Sequence, residues 1–325
     1  MMTSAIVLRE HGGADQLNLE PVTLDPPAKG MLRIRHTAIG VNFHDIYVRT
    51  GLYKTLPLPG IPGIEAAGVV EAIGPDVQGF HIGDRIGYIT FTYGAYATHR
   101  NLPAAIAIRL PDSLNDQLAA TILLKGLTVD MLLHRVHQIK AGQSILVHAA
   151  AGGVGRLLVQ GAKACGATVF GTAGTAEKIQ IARAAGCDEV IAYRDQDFAE
   201  AILGFTQGKG VDVVYDSVGR DTFDGSLRVL AKLGKLVNFG QSSGAVAPFE
   251  ISRLAAGSFS IARPIVFHYM DSPLHRQDMI NNVFDAWQKG WIKSEAGYTY
   301  PLAKAGEAHK ALESRSEKAP FILIP

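Results

Sequence analysis

Only two cysteines occur in the 325 residues, Cys165 and Cys187, too few for a disulfide framework or a cysteine-built zinc site. Cys165 falls on an apolar helix face, where a small core residue is the plain reading. No charge of either sign is in excess: 31 Lys plus Arg stand against 30 Asp plus Glu, so no net field recruits nucleic acid or an acidic membrane. Charged residues make up 19% and hydrophobic residues 47%, a balance that favours extensive burial, a subunit interface included. No apolar run reaches the roughly 18–20 residues that span a bilayer. The start, Met1-Met2-Thr3-Ser4-Ala5-Ile6-Val7, lacks the basic region and long apolar core of a signal peptide. A cytoplasmic chain is expected. Internal repeats and low-complexity segments are missing, as is the Gly-x-Ser-x-Gly elbow of many hydrolases.

What is present changes rhythm near residue 126. Before it, short runs separated by Gly and Pro turns predict an irregular antiparallel barrel, with strands at Met31–Ile39, Gly68–Ile73 and Arg85–Thr90. Leu56-Pro57-Leu58-Pro59-Gly60-Ile61-Pro62-Gly63 reads as a loop over a site, since neither a helix nor a central strand accepts those prolines. After it, strands at Ser144–Ala149, Thr168–Thr172, Glu189–Tyr193, Val211–Asp216 and Lys235–Phe239 alternate with helices near 154–165, 175–185, 195–206 and 221–231. That alternation predicts right-handed crossovers and a doubly wound parallel sheet, with a sixth strand at Ser258–Ala262. Helices near 276–290 and 303–314 and a strand at Phe321–Ile324 follow. The fold class is α/β, with domain boundaries placed at 1–126 plus 266–325 and at 127–265.

Residues 142–163 carry the sharpest signal: an apolar strand, a glycine turn and an amphipathic helix in succession. Ala150-Ala151-Gly152-Gly153-Val154-Gly155 matches G-x-G-x-x-G with alanine in the first glycine's place. A helix start leaves unpaired N–H groups and a partial positive charge, and glycine lets a pyrophosphate approach where a Cβ would collide. The cofactor's form is read from the end of the next strand. An acid there would accept hydrogen bonds from the ribose 2′-hydroxyl of NAD; this chain has Ala173 instead. Lys178 can reach a 2′-phosphate, with the Tyr193 hydroxyl beside it, so NADPH is the expected cofactor; the competing reading of Lys178 is a solvated helix charge.

The order of motifs along the chain resembles the zinc-independent quinone oxidoreductases, the zeta-crystallin-like branch of the medium-chain dehydrogenase/reductase superfamily. The likeness rests on the Gly142–Lys163 segment, Asn42-Phe43-His44-Asp45, Lys125-Gly126-Leu127-Thr128, Tyr215-Asp216-Ser217-Val218-Gly219, Asn238-Phe239-Gly240-Gln241-Ser242-Ser243-Gly244 and Leu312-Glu313-Ser314-Arg315. It implies a GroES-like barrel domain and a Rossmann NADPH-binding domain. It further implies cofactor contacts from Thr128, Gly152, Gly153, Val154, Gly174, Thr175, Ser217, Val218, Phe239, Gly240, Ser242, Ser243, Arg263 and Arg315. A homodimer formed through the sixth strand is also implied.

Zinc-dependent relatives place a cysteine near position 42 and a histidine at position 64; here Asn42 and Ile64 stand there, so no metal is expected. Without a Lewis acid, the chemistry called for is reduction of an already electrophilic acceptor, and a quinone fits. Tyr47 and Tyr53 are the candidate donors to a developing oxyanion, Asn42 would hold the nicotinamide ribose or substrate, and Asp45 would orient these groups. Packing roles compete for each: helix cap for Asp45, barrel core for Tyr47, loop packing for Tyr53. An NADPH-dependent reductase of activated carbon–carbon double bonds is the rival enzyme. A crystallin-like structural protein or an NADPH-regulated RNA binder is the rival from another class, with nucleic acid disfavoured by the balanced charge.

Overall fold

The computed structural model describes residues 1–295, 297–314 and 320–325. The chain divides into two compact units, 1–124 with 294–325, and 125–293.

In the first unit, β1 (Met2–Val7) and β2 (Asn18–Thr23) form an antiparallel pair. Then come β3 (Met31–Val41), α1 (Phe43–Arg49), β4 (Glu65–Ile73), β5 (Arg85–Ile89), β6 (His99–Pro103) and β7 (Ile108–Arg109). Strand β3 alternates, burying Leu32, Ile34, His36 and Ala38 while Arg33 and Arg35 face outward. It pairs antiparallel with both β4 and β6. Its register against β4 slips between His36 and Ala38, where Gly68 lies so close that a Cβ would stand 2.9 Å from His36 Cα. The proline loop is tied down: Leu8 and Gly60 exchange backbone hydrogen bonds at 2.8 and 2.9 Å.

Helix α2 (Asp116–Asp130) carries the chain into the second unit. The sequence showed no such helix, because this segment is buried nearly all round and lacks the one-sided apolar stripe that marks a surface helix. The second unit runs β8 (Ser144–Val147), α3 (Gly153–Ala164), β9 (Thr168–Ala173), α4 (Ala176–Ala185), β10 (Glu189–Ala192), α5 (Phe198–Phe205), β11 (Val211–Asp216), α6 (Phe223–Arg228), β12 (Leu230–Asn238) and β13 (Ser260–Ala262). Its strands form one parallel sheet in the order β10-β9-β8-β11-β12-β13, the doubly wound arrangement expected. Leu146, Phe170, Val214 and Leu236 of the sheet bury against Ile202, Phe223 and Leu227 of α5 and α6. Each such side chain contributes roughly 1.5–3 kcal/mol relative to exposure. Strand β12 starts five residues ahead of the expected Lys235, because Leu230 pairs with Val211 across a bulge.

Helices α7 (Val266–Tyr269) and α8 (Pro273–Gln288) complete the second unit. The return to the first domain, expected at residue 266, differs from this division, in which residues 266–293 group with the parallel sheet. The cause is packing. Asn282 donates to Asp130 at 2.9 Å, Arg135 pairs with Asp278, and Gly126 makes room for Val283. The chain then forms β14 (Tyr298–Pro301), α9 (Ala305–Ser314) and β15 (Phe321–Ile324). Strand β15 joins β3 antiparallel, Phe321 opposite Val41, immediately before Asn42.

Candidate active site

The turn after β8 has the geometry for an anionic group. Ala149 takes φ +52, Gly152 donates to Ala149 O at 2.8 Å, and α3 begins at Gly153 with Gly152 as its extended N-cap. No side chain caps this start, whereas Thr175 caps α4, Asp197 caps α5 and Ser272 caps α8. Of these four helices α3 alone therefore leaves its first amides and dipole to something other than its own side chains. Gly155 permits close helix–strand packing, since a Cβ would stand 3.0 Å from Ala150 Cα. Gly153 faces the buried Lys125, whose Cε lies 3.0 Å from the place of a Cβ. Thr128, one turn further along α2, is half-buried.

At the end of β9, Ala173 is buried and no acid takes its place. The structure sets Lys178 against Thr175 and Tyr193 against Gly174. Thr175 Oγ1 accepts from Lys178 N at 3.3 Å, and the Tyr193 hydroxyl lies 2.7 Å from where a Gly174 Cβ would sit.

The ends of β11 and β12 are laced together. Fully buried Asp216 accepts from the amides of Val218 (2.7 Å) and Gly219 (3.0 Å) and from Thr222 Oγ1 (2.9 Å), shaping the Ser217–Gly219 turn. Ser242 N donates to Ser217 O at 3.2 Å, and Ser243 donates to Val218 O through both N (2.9 Å) and Oγ (2.8 Å). Phe239 N reaches Asp216 O at 2.8 Å, and Gly240 packs on the Ser217 backbone. Arg263 Nη1 donates to Asn238 Oδ1 (2.8 Å) and O (3.0 Å). Asn238 Nδ2 is buried and has no hydrogen-bond partner among the described residues. A buried amide donor with nothing to donate to, at the carboxyl end of a parallel strand, fits a site built for a dinucleotide. Asp216 and Asn238 were quoted in motifs but not singled out, although an Asp closing a strand before Ser is an Asx-turn signal. Arg315 lies outside the described residues.

In the first unit, Asn42 caps α1 and is held twice. Its backbone N donates to Asp45 Oδ2 at 2.8 Å, and its Nδ2 donates to Glu65 Oε2 at 2.9 Å. Asp45 is fully buried, and its Oδ2 also receives the Tyr96 hydroxyl at 3.2 Å. Tyr96 Oη is 2.9 Å from His309 Nε2, and Arg49 makes a bidentate pair with Glu313 at 2.7 and 3.0 Å. Buried groups of α1 are thus tied to α9 from the far end of the chain. Tyr47 and Tyr53 pack with ring centroids 4.9 Å apart, backed by Phe43 and His44. His44 Nε2 lies 3.2 Å from Tyr93 Oη, which also bonds Thr55. Burial pushes His44 down to about 4, so this imidazole is neutral at pH 7, and burial raises the Tyr93 phenol. Glu65, the residue that grips Asn42, was not recognised in the sequence. Among the described residues no group of three or more His, Cys, Asp or Glu is placed to hold a metal ion.

A parallel six-stranded sheet with this turn, joined to a sheet-rich unit closed by the chain's own C-terminus, defines the medium-chain dehydrogenase/reductase class. Residues 28–112 match the alcohol dehydrogenase GroES-like domain family, and residues 153–283 match the zinc-binding dehydrogenase family. The chain is 41% identical to quinone oxidoreductase 1 of Escherichia coli strain K12, with all of both chains covered. It is 40% identical to a 2-haloacrylate reductase of a Burkholderia species, over 100% of this chain and 99% of that one. A crystal structure of an Escherichia coli quinone oxidoreductase complexed with NADPH superposes with TM-score 0.96 at 41% identity, covering 99% of this chain and 100% of that one. The chain belongs to the quinone oxidoreductase family of that class.

Proposed function

We propose that this protein is an NADPH-dependent quinone reductase. The observation that carries the reading is the uncapped glycine turn before α3, together with a strand end where Ala173 replaces the acid, the Tyr193 hydroxyl lies over Gly174 and Lys178 opens the next helix. The similarity to an NADPH-complexed quinone oxidoreductase supports it. When bound, the reduced nicotinamide supplies a hydride.

Each residue then has an assigned task. Gly152, Gly153 and Val154 offer backbone amides to the pyrophosphate, and Lys178 with Tyr193 pairs with the 2′-phosphate. Gly174 and Thr175 keep that end open and capped. Thr128, Ser217, Val218, Phe239, Gly240, Ser242, Ser243 and Arg263 hold the rest of the nucleotide, with Arg315 expected to join them. Asn42 holds the nicotinamide ribose or substrate. Tyr47 and Tyr53 donate to the oxyanion that develops on the quinone, and aromatisation of the product lowers the need for stronger assistance. Asp45, buried and bonded to Asn42 N and Tyr96, orients these groups. His44, neutral at pH 7, supplies no cationic stabilisation.

NADPH oxidation against a quinone panel and an enone panel tests the assignment. Higher kcat/KM on enones would transfer the reading to carbon–carbon double-bond reduction, which the haloacrylate reductase relative keeps in view. A homodimer belongs to the same proposal. Strand β13 ends the parallel sheet with an open edge, and Leu233 and Ile251 are 78% and 79% exposed. Sedimentation at micromolar concentration checks it, and a monomer refutes it. A cytoplasmic location is proposed as well; no described helix is long and apolar enough to cross a membrane. Fractionation of the source cells decides that point.

A further inference from the structure

His148 directly follows β8 and is buried, yet no role assigned above uses it. Its backbone amide donates to Tyr215 O of β11 at 3.0 Å. Its ring lies between two buried hydroxyls: Nδ1 is 3.1 Å from Thr172 Oγ1 of β9, and Nε2 is 2.9 Å from Ser226 Oγ of α6. Phe198 of α5 packs edge-on against the same ring, with centroids 4.8 Å apart. Burial lowers the His148 pKa against the opposing pull of Asp216, so the ring is neutral at pH 7 and each nitrogen has a hydroxyl to match it.

The same threonine holds the turn that follows. Ala149 N donates to Thr172 Oγ1 at 3.3 Å, and Ala150 N donates to Thr172 O at 3.1 Å. A hydroxyl oxygen has two lone pairs, so Thr172 bonds His148 in either tautomer and still accepts from Ala149. Ala149 needs that hold, because its φ of +52 lies in the left-handed region that a Cβ disfavours. No glycine occurs in the turn before Gly152, and β9 makes room for the alanines instead. A Cβ on Gly171 would stand 2.8 Å from the Ala150 methyl, so glycine there leaves the methyl its place. The consequence runs forward along the chain. Ala149 O accepts from Gly152 N at 2.8 Å, and Gly152 is the N-cap of α3. The direction of the first α3 amides is therefore set by a backbone angle that alanine does not adopt by preference.

We propose that Thr172, backed by His148, is a positioning residue for coenzyme binding: its hydroxyl keeps Ala149 in the left-handed conformation that glycine would adopt unaided, and so keeps the turn in the shape that receives the pyrophosphate. This rests on the nucleotide role given to that turn above. Without the hydroxyl, Ala149 leaves the left-handed region in the free protein, and the coenzyme must restore it on binding. The loss falls on the pyrophosphate, which NADPH and NADH share, and not on the 2′-phosphate.

Thr172→Val keeps the shape of the side chain and deletes the hydroxyl. Affinity for NADPH and for NADH, read by protein fluorescence in the binary complex without turnover, is expected to fall about tenfold for each, the scale of one disfavoured left-handed residue. Thr172→Ser, which retains the hydroxyl, is expected to bind both within about threefold of wild type. The decisive comparison places glycine at position 149, where the left-handed region carries no steric penalty. In an Ala149→Gly background, Thr172→Val is expected to weaken either coenzyme by less than about threefold. A hydroxyl that serves folding alone lowers the urea midpoint and leaves the affinity change the same in both backgrounds.

Wild-type affinity in Thr172→Val, a loss confined to NADPH, or equal losses with alanine and with glycine at position 149 each overturn the proposal. If Thr172→Val does not fold, Thr172→Ala set against Thr172→Ser in both backgrounds makes the same test. Failure of the wild-type protein to bind either coenzyme sinks the nucleotide reading itself, and is seen before any variant is made. Wild-type binding that does not depend on the Thr172 hydroxyl removes this proposal alone.

Discussion

Replacing Lys178 by alanine should separate two coenzymes that differ by one phosphate. Lys178 stands in the first turn of α4, its amide capped by Thr175 Oγ1 at 3.3 Å, so the origin of the side chain is fixed. The Tyr193 phenol leans over Gly174 next to it, and buried Ala173 offers no acid to compete for a ribose hydroxyl. A hydrogen bond between charged groups contributes about 1.5–3 kcal/mol. The side chain is only half-buried, so screening by water and salt favours the lower half of that range, about 1.5–2 kcal/mol. At about 1.4 kcal/mol per decade, Lys178→Ala should weaken NADPH roughly 10- to 30-fold and leave NADH within about twofold. Fluorescence titration of both coenzymes measures this, and the NADPH penalty should shrink at high salt. Tyr193→Phe, which loses a neutral donor, should cost NADPH roughly 3- to 10-fold. Equal losses for NADPH and NADH in Lys178→Ala would show that the lysine serves the helix rather than the phosphate.

Burial depresses His36 and His44 to about 4 and His309 to about 3, against roughly 6.5 in an unfolded chain. Below pH 6.5 the unfolded state binds protons that the folded state refuses, so stability should fall as pH drops toward 4 and level off above about 7. Each histidine adds a slope of about 1.4 kcal/mol per pH unit. Urea midpoints at pH 8, 6.5 and 5 test it, with His309→Gln flattening the profile; equal midpoints refute it. Glu313→Gln leaves the Arg49 guanidinium, 2% exposed, without its charge partner. A loss of about 3 kcal/mol is expected, at the low end for a broken buried pair because the Glu313 carboxylate is 37% exposed, and a loss under about 1 kcal/mol in urea unfolding would contradict it. Gly155→Ala sets a Cβ 3.0 Å from Ala150 Cα and should lower the melting temperature, whereas Gly153→Ala meets only the flexible end of Lys125. The Gly153 variant should melt near wild type and bind NADPH at least tenfold more weakly, since a methyl group then stands at the helix start. A melting loss in both with NADPH affinity intact would reverse the assignment.

How far the fold was legible depended on the range of the interactions. The turn at 150–155 was readable because strand, glycines and amphipathic helix are contiguous, and the parallel strands fell within a few residues of expectation. Helix α2 was not readable. Its residues are buried by neighbours on nearly every side, and periodicity in one sequence reports only a boundary between core and water. Ser272 and Pro273 announce the start of α8 by local chemistry alone, and the expected start at 276 passed over that cap. In the site, Gly174 and Lys178 were named from a strand end and the helix that follows it, and Tyr193 from the end of the neighbouring strand β10. Glu65, Asp216 and Asn238 were missed, since their importance comes from which atoms face them.

By itself the amino-acid order determined an α/β chain with a dinucleotide turn and a strand end lacking an acid. Those are properties of short stretches, governed by backbone freedom, side-chain donors and periodic burial. Tertiary structure decided which carboxylates serve as anchors. Asp45 and Glu65 converge on Asn42 from positions 3 and 23 residues away, and Glu313 reaches Arg49 across 264. Hydrogen bonding inside a protein is strong only when water is gone and the partner is held at the right distance, and only the packed chain supplies both conditions.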